Sequence, residues 1–256
     1  RLVLLDFRLP DSHGYAGMLQ LQQLDPEVPI AIVTAYEELR LSEAARALGA
    51  AAFISKSLPL DAITAILRRV LDPAQFLSPH GIRSLSKYHE DNPYVYNVNG
   101  TDYVVKYAPA ESVNRMFGGN SNWRGPIWLP VNALVIRALN QYQTYYGDNF
   151  TIECPTGSGR LMNLYQVAEE IGRRLTRLFV RDTDGRRPVF GGAKQFQEDP
   201  HWRDCLLFYE YFHGDNGTGL GAGHQTGWTG LVALLLDLFG RVDARRLLET
   251  ERGLLS

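Results

Sequence analysis

The sequence FYEYFHGDNGTGLGAGHQTGWTG, at residues 208–230, combines carboxylates, aromatic rings, two histidines and seven glycines. It is too polar for a buried core and too aromatic for a flexible linker. Aromatic rings stack on the apolar face of a sugar, carboxylates and amides bond sugar hydroxyl groups, and glycine lets the backbone approach a ligand closely. The stretch therefore predicts one wall of a carbohydrate-binding cleft.

Helical patterns lie on both sides of this wall. In residues 131–146 and 161–180, apolar side chains recur every three or four positions, as on one face of an amphipathic helix. Residues 228–239 give a third, more apolar helix. Helices joined by long glycine-rich, aromatic loops predict an α/α toroid with the substrate cleft at one end. The first two apolar faces consist of Val131, Leu134, Val135, Ala138, Leu139 and Tyr142, and of Leu164, Val167, Ala168, Ile171, Leu175 and Leu178.

Further polar and aromatic runs lie upstream of residue 208. They are FLSPHGIRSLSKYH (76–89), GGNSNWRGPIW (118–128), ECPTGSG (153–159), GRRPVFGG (185–192) and DPHWRD (199–204). Together with residues 208–230 they closely resemble the C-terminal catalytic half of bacterial glycoside hydrolase family 63, the family of processing α-glucosidase I. The resemblance extends over about residues 73–240 and ends at Asp72. It implies that residues 73–256 form about half of a twelve-helix (α/α)6 barrel, whose missing N-terminal half would be a partner.

The resemblance also implies an inverting hydrolysis. Such enzymes use a general acid and a general base, two carboxyl groups roughly 6.5 to 9.5 Å apart. By motif, Glu210 matches the base, whereas the matching acid lies upstream of residues 76–89, where this chain has other sequence. Glu210 could also be a surface residue paired with an arginine, but its aromatic neighbours and the glycine-rich loop favour a cleft. The other carboxylates are interpreted as caps or loop acceptors: Glu111, Asp199, Asp204 and Asp215.

The predicted sugar site contains stacking rings and hydrogen-bonding groups. Trp123 and Trp128 would be core residues in many proteins, but Arg124 between them and Asn122 before them favour a polar wall. Trp228 begins an apolar helix and is interpreted as half core, half cleft. The ligand would be an oligosaccharide or a glucoside. The substrate-binding residues predicted on the resemblance are Asn122, Trp123, Arg124, Trp128, Tyr211, His224, Gln225 and Trp228.

Residues 1–72 show a different pattern, in which apolar strands alternate with helical segments. The strands are LVLLDFRLP (2–10), IAIVTA (30–35) and AAAFISKS (50–57). They predict a parallel sheet whose strand ends converge on one site. The pattern resembles a truncated response-regulator receiver domain, a flavodoxin-like α/β unit. In this resemblance Asp6 matches the phosphoacceptor, Thr34 the switch hydroxyl, Phe53 the switch aromatic and Lys56 the phosphate-pairing lysine.

The receiver-like residues are predicted to be vestigial. The resemblance places the first residues of this chain at the family's third strand, so the acidic pair that ends the first strand and holds Mg²⁺ has no counterpart. Without that ion, little neutralises the charge of a transferred phosphoryl group. We therefore do not expect phosphorylation of Asp6.

Composition argues against several classes of protein. Net charge is −2; residues 1–72 hold 7 basic and 9 acidic side chains and the remainder holds 19 of each, so neither part has the basic excess of a nucleic-acid-binding protein. No apolar run approaches the roughly 20 residues that span a bilayer. Cys154 and Cys205 lie in unrelated motifs, and His201 and His213 lack a third partner at metal-ligand spacing, so we expect neither metal nor cofactor. Two such cysteines fit reduced thiols in a cytoplasmic setting.

Three functions remain open at this point. The first is a fragment of an inverting α-glycosidase, fused to a receiver-like segment and inactive alone because the general acid lies outside it. The second is a regulatory fusion of the phosphorelay type, in which residues 1–72 control or tether a carbohydrate-binding half that does not cleave. The third is a non-natural junction of two unrelated genes, with the seam near residues 71–79.

Overall fold

The chain folds into two compact units, residues 1–65 and residues 66–256. Both contain helices together with strands, so the predicted mixed fold class is confirmed at this level. Asn122 and Lys56 lie outside the described residues, as does the side chain of Phe53. The computed structural model describes residues 3–6, 8–9, 12–13, 15–26, 30–34, 43–45, 47–50, 52–55, 60–111 and 123–241.

Among its described residues, the first unit contains a three-stranded parallel sheet, helix segments and a small hairpin. The elements are β1 (Val3–Asp6), β2 (Arg8–Leu9), β3 (Ser12–His13), α1 (Ala16–Leu24), β4 (Ile30–Thr34) and β5 (Ala52–Ser55). In the order β1–β4–β5, Asp6 pairs with Val33 and Thr34 pairs with Ser55. Asp6 and Thr34 therefore lie at the carboxyl ends of adjacent parallel strands, as the sequence predicts.

Apolar strand residues form the core of this unit. Leu5 of β1 and both Ile30 and Ile32 of β4 are buried with Met18 of α1 and with Ala45. Strands rich in apolar residues are typical of a parallel sheet that is covered by helices. This packing fixes the strand ends that carry the receiver-like residues. The flavodoxin-like topology of a whole receiver stays a prediction.

Helix α2 (Leu60–Val70) crosses the boundary between the two units. An acidic residue in its first turn and two arginines in its last turn match the helix dipole. Within the second unit, Thr156 holds the end of this helix. Its N–H donates to the carbonyl of Leu71 at 2.9 Å and its hydroxyl donates to the carbonyl of Arg68 at 2.8 Å. The predicted domain division at residue 72 falls just after α2 and stays a prediction.

The second unit combines helices with short antiparallel strand pairs. Its elements are β6 (Leu77–Ser78), β7 (Gly81–Ile82), β8 (Tyr94–Val98), β9 (Thr101–Val105), α3 (Leu129–Tyr146), β10 (Thr151–Glu153), β11 (Leu161–Asn163), α4 (Leu164–Thr176), α5 (Lys194–Glu198), β12 (Tyr211–Phe212), β13 (Gly219–Leu220), α6 (Thr226–Thr229) and α7 (Leu231–Arg241). The strand pairs are β6–β7, β8–β9, β10–β11 and β12–β13. Helices α3, α4 and α7 pack against one another.

Helix α4 buries the predicted face. A capping box starts it, because Asn163 accepts a hydrogen bond from the Gln166 N–H at 2.9 Å and Gln166 accepts one from the Asn163 N–H at 3.0 Å. At Gly172 a Cβ would lie 2.5 Å from the Phe239 ring of α7, so glycine permits the close approach of these two helices. The predicted apolar residues are all buried, namely Leu164, Val167, Ala168, Ile171, Leu175 and Leu178.

Helix α3 leaves part of its apolar face exposed. Leu134 is 67% exposed and Ala138 is also exposed, whereas Leu139 of the same face is buried. The physical reason is a buried amide. Asn132 accepts a hydrogen bond from the Ile82 N–H at 2.7 Å and donates one to the Ile82 carbonyl at 3.0 Å. These bonds fix β7 on the side of α3 that carries Asn132.

An apolar groove of about 630 Å³ runs between α3 and α7. Its lining includes Leu134 and Leu234, which are 67% and 61% exposed. Apolar surfaces of this kind favour association with another surface.

The third helix predicted from the sequence, residues 228–239, is divided in the structure. Helix α6 ends at Thr229 and α7 begins at Leu231.

We expect this groove to drive self-association of the chain. Combining Leu134→Lys with Leu234→Lys should shift size-exclusion elution towards the monomer, because burying an unpaired ammonium group is costly. Leu161→Lys is the matched control, since Leu161 is 68% exposed but does not line the groove. An unsubstituted chain that elutes as a compact monomer and unfolds cooperatively at high temperature would contradict this expectation.

Candidate active site

Four aromatic rings form a ladder in the predicted sugar-binding wall. Trp123 stacks on Trp128 with ring centroids 4.1 Å apart and an interplanar angle of 12°, and Trp128 stacks on Tyr211 at 4.6 Å. Trp228 meets Trp128 edge-on at 6.3 Å. Trp128 and Tyr211 are buried, whereas Trp123 and Trp228 are exposed. The exposed rings offer stacking surfaces for a sugar, and the buried rings support them.

Backbone pairing holds three sequence motifs side by side next to this ladder. The N–H of Ile127 donates to the Phe212 carbonyl at 2.8 Å, and the N–H of Phe212 donates to the Ile127 carbonyl at 3.0 Å. Ile127 also forms an antiparallel bridge with Arg83. The described parts of these motifs, residues 76–89, 123–128 and 208–230, are therefore neighbours in space.

Glu210 lies at the start of the β12–β13 hairpin, directly before Tyr211. Its N–H donates to the Ala222 carbonyl at 3.0 Å, and its Oε2 accepts a hydrogen bond from the Ala222 N–H at 3.2 Å. Gly221 has φ of +71°, and a Cβ there would lie 2.7 Å from Glu210 Oε2. Glycine is needed where the loop passes this carboxylate. The glycine-rich loop thus fixes the side chain of Glu210.

A second carboxylate, Glu111, reaches the same hairpin. Its Oε2 accepts a hydrogen bond from the Tyr211 hydroxyl at 2.5 Å, and its Oε1 accepts one from the Gly221 N–H at 3.3 Å. Burial, and then the hydrogen bond to Glu111, raises the pKa of Tyr211, so the phenol keeps its proton. The sequence favours Glu111 as a loop acceptor but does not indicate which loop it holds. Its partners are 100 and 110 positions away, and no local pattern marks them.

Asp215 is the centre of a charged cluster that anchors the loop after β12. Its Oδ1 accepts hydrogen bonds from Arg83 at 2.9 Å and from the Tyr107 hydroxyl at 3.0 Å, and its Oδ2 lies 3.3 Å from Lys87 Nζ. Burial opposes ionisation, but the hydrogen bonds from Arg83 and Tyr107 and the two cations together lower the pKa of Asp215. Asp215 is therefore a carboxylate with a structural role and is poorly suited to donate a proton.

The other two aspartates considered from the sequence are also engaged. Asp199 Oδ1 accepts a hydrogen bond from the His201 N–H at 2.8 Å and so orders its own turn. Asp204 pairs with Arg181 at 2.9 Å and with Arg187 at 3.3 Å. The hydrogen bond from Arg181 is the main cause of the lowered pKa of Asp204. These contacts agree with their interpretation as caps and loop acceptors.

The remaining predicted sugar-binding residues differ in exposure. Arg124 is buried, and burial lowers the pKa of its guanidinium group. Its backbone carbonyl accepts a hydrogen bond from the Ala108 N–H at 2.6 Å. His224 and Gln225 are exposed at the start of α6. The N–H of Gln225 donates to the Phe208 carbonyl at 2.6 Å. Both exposed residues therefore adjoin the segment that leads into Glu210.

A polar pocket of about 380 Å³ lies elsewhere in the second unit. Its lining includes Arg186 and Arg187 from the motif at residues 185–192, and Asn216 and Thr218 from the loop after β12, but not Glu210. This pocket is therefore separate from Glu210. A positioned carboxylate and exposed stacking rings come together at the ladder, so the candidate site is described there.

Two kinds of feature are absent from the part of the chain that the structure describes. None of its helices is both long and apolar enough to cross a bilayer. Its histidines, cysteines, aspartates and glutamates form no group of three that could hold a metal ion. Cys154 is buried and Cys205 is exposed, and both are free thiols.

Two family models match the chain. Residues 1–68 match the Response regulator receiver domain, and residues 48–156 match the Glycosyl hydrolase family 63 C-terminal domain. The chain resembles both families. This confirms the two resemblances seen in the sequence, although the family 63 match begins before Asp72 and ends before Glu210. No solved structure matches the chain significantly.

Curated proteins similar to this chain fall into the same two groups. An uncharacterized protein of Saccharomyces cerevisiae is 57% identical over 173 residues, which are 67% of this chain and 16% of that protein. A probable mannosyl-oligosaccharide glucosidase of Schizosaccharomyces pombe is 29% identical over 182 residues, 70% of this chain and 16% of that protein. A glycerol metabolism activator of Pseudomonas putida is 34% identical over 83 residues, 32% of this chain and 38% of that protein. The family 63-like region is thus a small part of much longer yeast relatives.

The Asp215 cluster predicts a pH-dependent contribution to stability. Asp215→Asn should lower the free energy of unfolding by about 2 kcal/mol at pH 7, the value of hydrogen bonds to a charged group. Because the pKa of Asp215 is lower in the folded than in the unfolded chain, this contribution is present at neutral pH. The contribution is lost as the pH falls below the pKa of an aspartate in the unfolded chain, about 3.9, and through the lower pKa of Asp215 in the folded chain. Urea unfolding at several pH values measures it.

Asp204→Asn is the matched control for this prediction. Asp204 also pairs with arginines, but its side chain is 65% exposed, against 31% for Asp215. Because an exposed ion pair contributes little to stability, Asp204→Asn should lower the free energy of unfolding less than Asp215→Asn does. Equal effects of the two substitutions at pH 7 would show that burial of the Arg83 pair adds nothing.

Proposed function

We propose that residues 73–256 are the C-terminal part of an inverting α-glycosidase, with Glu210 as the general base. The position of Glu210 carries this proposal. Its carboxylate is held by the Ala222 N–H beside a ladder whose rings Trp123 and Trp228 are exposed. A sugar stacked on these rings would lie next to a carboxylate able to take a proton from water.

The substrate class comes from the family resemblance and from the relatives. One yeast relative is named a probable mannosyl-oligosaccharide glucosidase. By that likeness we infer an oligosaccharide or another glucoside as the substrate of the complete enzyme. Besides the ladder, the groups that we assign to the sugar are those of Asn122, Arg124, His224 and Gln225.

We also propose that the general acid lies outside this chain. Asp204 and Asp215 are ion-paired, their pKa values are lowered, and neither holds a proton at neutral pH. Asp199 accepts a hydrogen bond within its own turn. By the resemblance, the acid precedes residues 76–89, where this chain carries receiver-like sequence. The chain would then activate water without protonating the leaving group.

The helical layer supports the proposal of an incomplete (α/α)6 barrel. Helices α3, α4 and α7 pack against one another. The groove between α3 and α7 is lined by exposed leucines of the kind that further helices would cover. In this proposal the missing half of the barrel is the natural partner of that groove, and its loops would complete the cleft.

A second candidate is a carbohydrate-binding fusion without catalysis. The engagement of Asp199, Asp204 and Asp215 favours it, because stacking rings remain while a proton donor is lacking. The receiver-like residues would then tether or regulate the binding half. A junction of two unrelated genes is the remaining alternative. It is supported by the overlap of the two family matches at residues 48–68.

Hydrolysis of α-glucosyl fluoride separates the catalytic candidate from the binding one. Loss of general-acid catalysis costs roughly 10² to 10⁴ in rate, so we expect no turnover of natural α-glucosides. Fluoride leaves well without a proton, and we expect slow release of fluoride, measured with an ion-selective electrode. Glu210→Gln should abolish it because the amide cannot take a proton from water.

Glu198→Gln is the control for that measurement, since Glu198 is an exposed residue of α5. It should leave fluoride release unchanged. Undiminished release in Glu210→Gln would remove Glu210 as the base. Cleavage of an unactivated disaccharide at an ordinary enzymatic rate would mean that this chain contains an acid after all.

The receiver-like unit yields a separate prediction. Asp6 and Thr34 occupy adjacent strand ends, but we propose that residues 1–72 by themselves do not hold Mg²⁺, because the acidic pair of the receiver resemblance is not among them. Acetyl phosphate with Mg²⁺ should therefore not label the chain, and Asp6→Asn should leave its mass spectrum after treatment unchanged. An acyl phosphate on Asp6 would instead favour the regulatory fusion.

A further inference from the structure

Glu111 links the buried end of the aromatic ladder to the loop beside Glu210. The two carboxylates hold consecutive amides of that loop: Glu111 Oε1 lies 3.3 Å from the Gly221 nitrogen, and Glu210 Oε2 lies 3.2 Å from the Ala222 nitrogen. With its other oxygen, Glu111 accepts the hydrogen bond of the Tyr211 hydroxyl at 2.5 Å. One side chain thus bridges β12 and the residue that follows β13.

The two hydrogen bonds of Glu111 use different oxygens of its carboxyl group. The Tyr211 hydroxyl and the Gly221 N–H are both donors, and each points at a different oxygen of Glu111. The phenol keeps its proton, since burial raises the pKa of Tyr211. Both oxygens of Glu111 are therefore engaged as acceptors within the hairpin.

The groups around Glu111 are packed so closely that a shift of one moves the others. A Cβ on Gly221 would lie 2.7 Å from Glu210 Oε2 and 2.8 Å from the Tyr211 ring. The Tyr211 ring is fully buried and stacks on Trp128 at 4.6 Å. Releasing the Tyr211 hydroxyl or the Gly221 amide from Glu111 would therefore displace the loop against which Glu210 rests.

We propose that Glu111 is a positioning residue for Glu210. It anchors Tyr211 and Gly221, and through them it sets the orientation of the Glu210 carboxylate relative to the ladder. The mechanistic meaning of this coupling rests on the proposed role of Glu210 as the base. The coupling itself is a property of the folded loop and can be measured without turnover.

Hydrogen exchange of the Gly221 and Ala222 amides tests the coupling in the full chain. Mass spectrometry with fragmentation resolves the two amides. We expect Glu111→Ala to speed exchange at both by about fivefold, the effect of one typical hydrogen bond. Glu210→Ala should speed exchange at Ala222, and the exposed control Glu198→Gln should change neither. If Glu111→Ala speeds Gly221 but leaves Ala222 at the unsubstituted rate, Glu111 is only a local anchor and the proposal is overturned.

A kinetic comparison separates positioning from general loss of structure. With α-glucosyl fluoride, Glu111→Ala should lower kcat by up to about 10²-fold, the effect of misplacing a reacting group, with little change in KM. Glu111→Gln keeps one acceptor oxygen for Tyr211 and should recover part of kcat. A fall in kcat without that recovery, together with unchanged Ala222 exchange, would contradict positioning.

The two proposals fail in different ways. In one outcome, Glu111→Ala speeds exchange at both Gly221 and Ala222, but Glu210→Gln still releases fluoride. Glu111 then positions Glu210, and Glu210 is not the base. In the other outcome, Glu210→Gln abolishes fluoride release, but Glu111→Ala leaves exchange at Ala222 unchanged. Glu210 is then the base, and the positioning role of Glu111 is wrong. If the chain releases no fluoride at all, the exchange result alone decides the positioning proposal.

Discussion

The ion pair between Arg83 and Asp215 is the contact on which the candidate site depends. Arg83 is only 5% exposed, and a guanidinium group removed from water needs a carboxylate partner. This pair joins the motif at residues 76–89 to the loop after β12, and Tyr107 adds a third segment through its hydroxyl. The wall of the site is therefore a set of loops held by charge and by the backbone bridges at Ile127, without one continuous sheet.

The contrast between α4 and α3 shows which parts of the fold could be predicted. Periodicity identifies apolar faces, and in α4 the apolar face is the buried one. In α3, Asn132 is buried because it bonds both backbone groups of Ile82, 50 positions away. Those bonds turn Leu134 towards solvent. Periodicity cannot detect a polar side chain whose partners lie in a distant segment.

In the candidate site, too, the sequence indicates a residue's role only where its neighbours along the chain are also its neighbours in space. Glu210 stood out because its neighbours in the sequence, aromatic residues and glycines, are also its neighbours in space. For Glu111 the sequence indicates only a loop acceptor, because its partners Tyr211 and Gly221 come from another part of the chain. Residues 48–68 match both families, and this stretch includes most of α2, an amphipathic helix whose end charges suit the helix dipole.

The stack of Trp123 on Trp128 gives the wall an optical signature of its own. Two indole rings that are nearly parallel and 4.1 Å apart couple electronically, so the pair gives a circular dichroism signal that an isolated tryptophan lacks. Trp128 is locked between rings, whereas Trp123 is open on its outer face. A molecule that settles on that outer face changes the environment of only one member of the pair. Binding at this wall would therefore be reported by a signal that the wall itself produces.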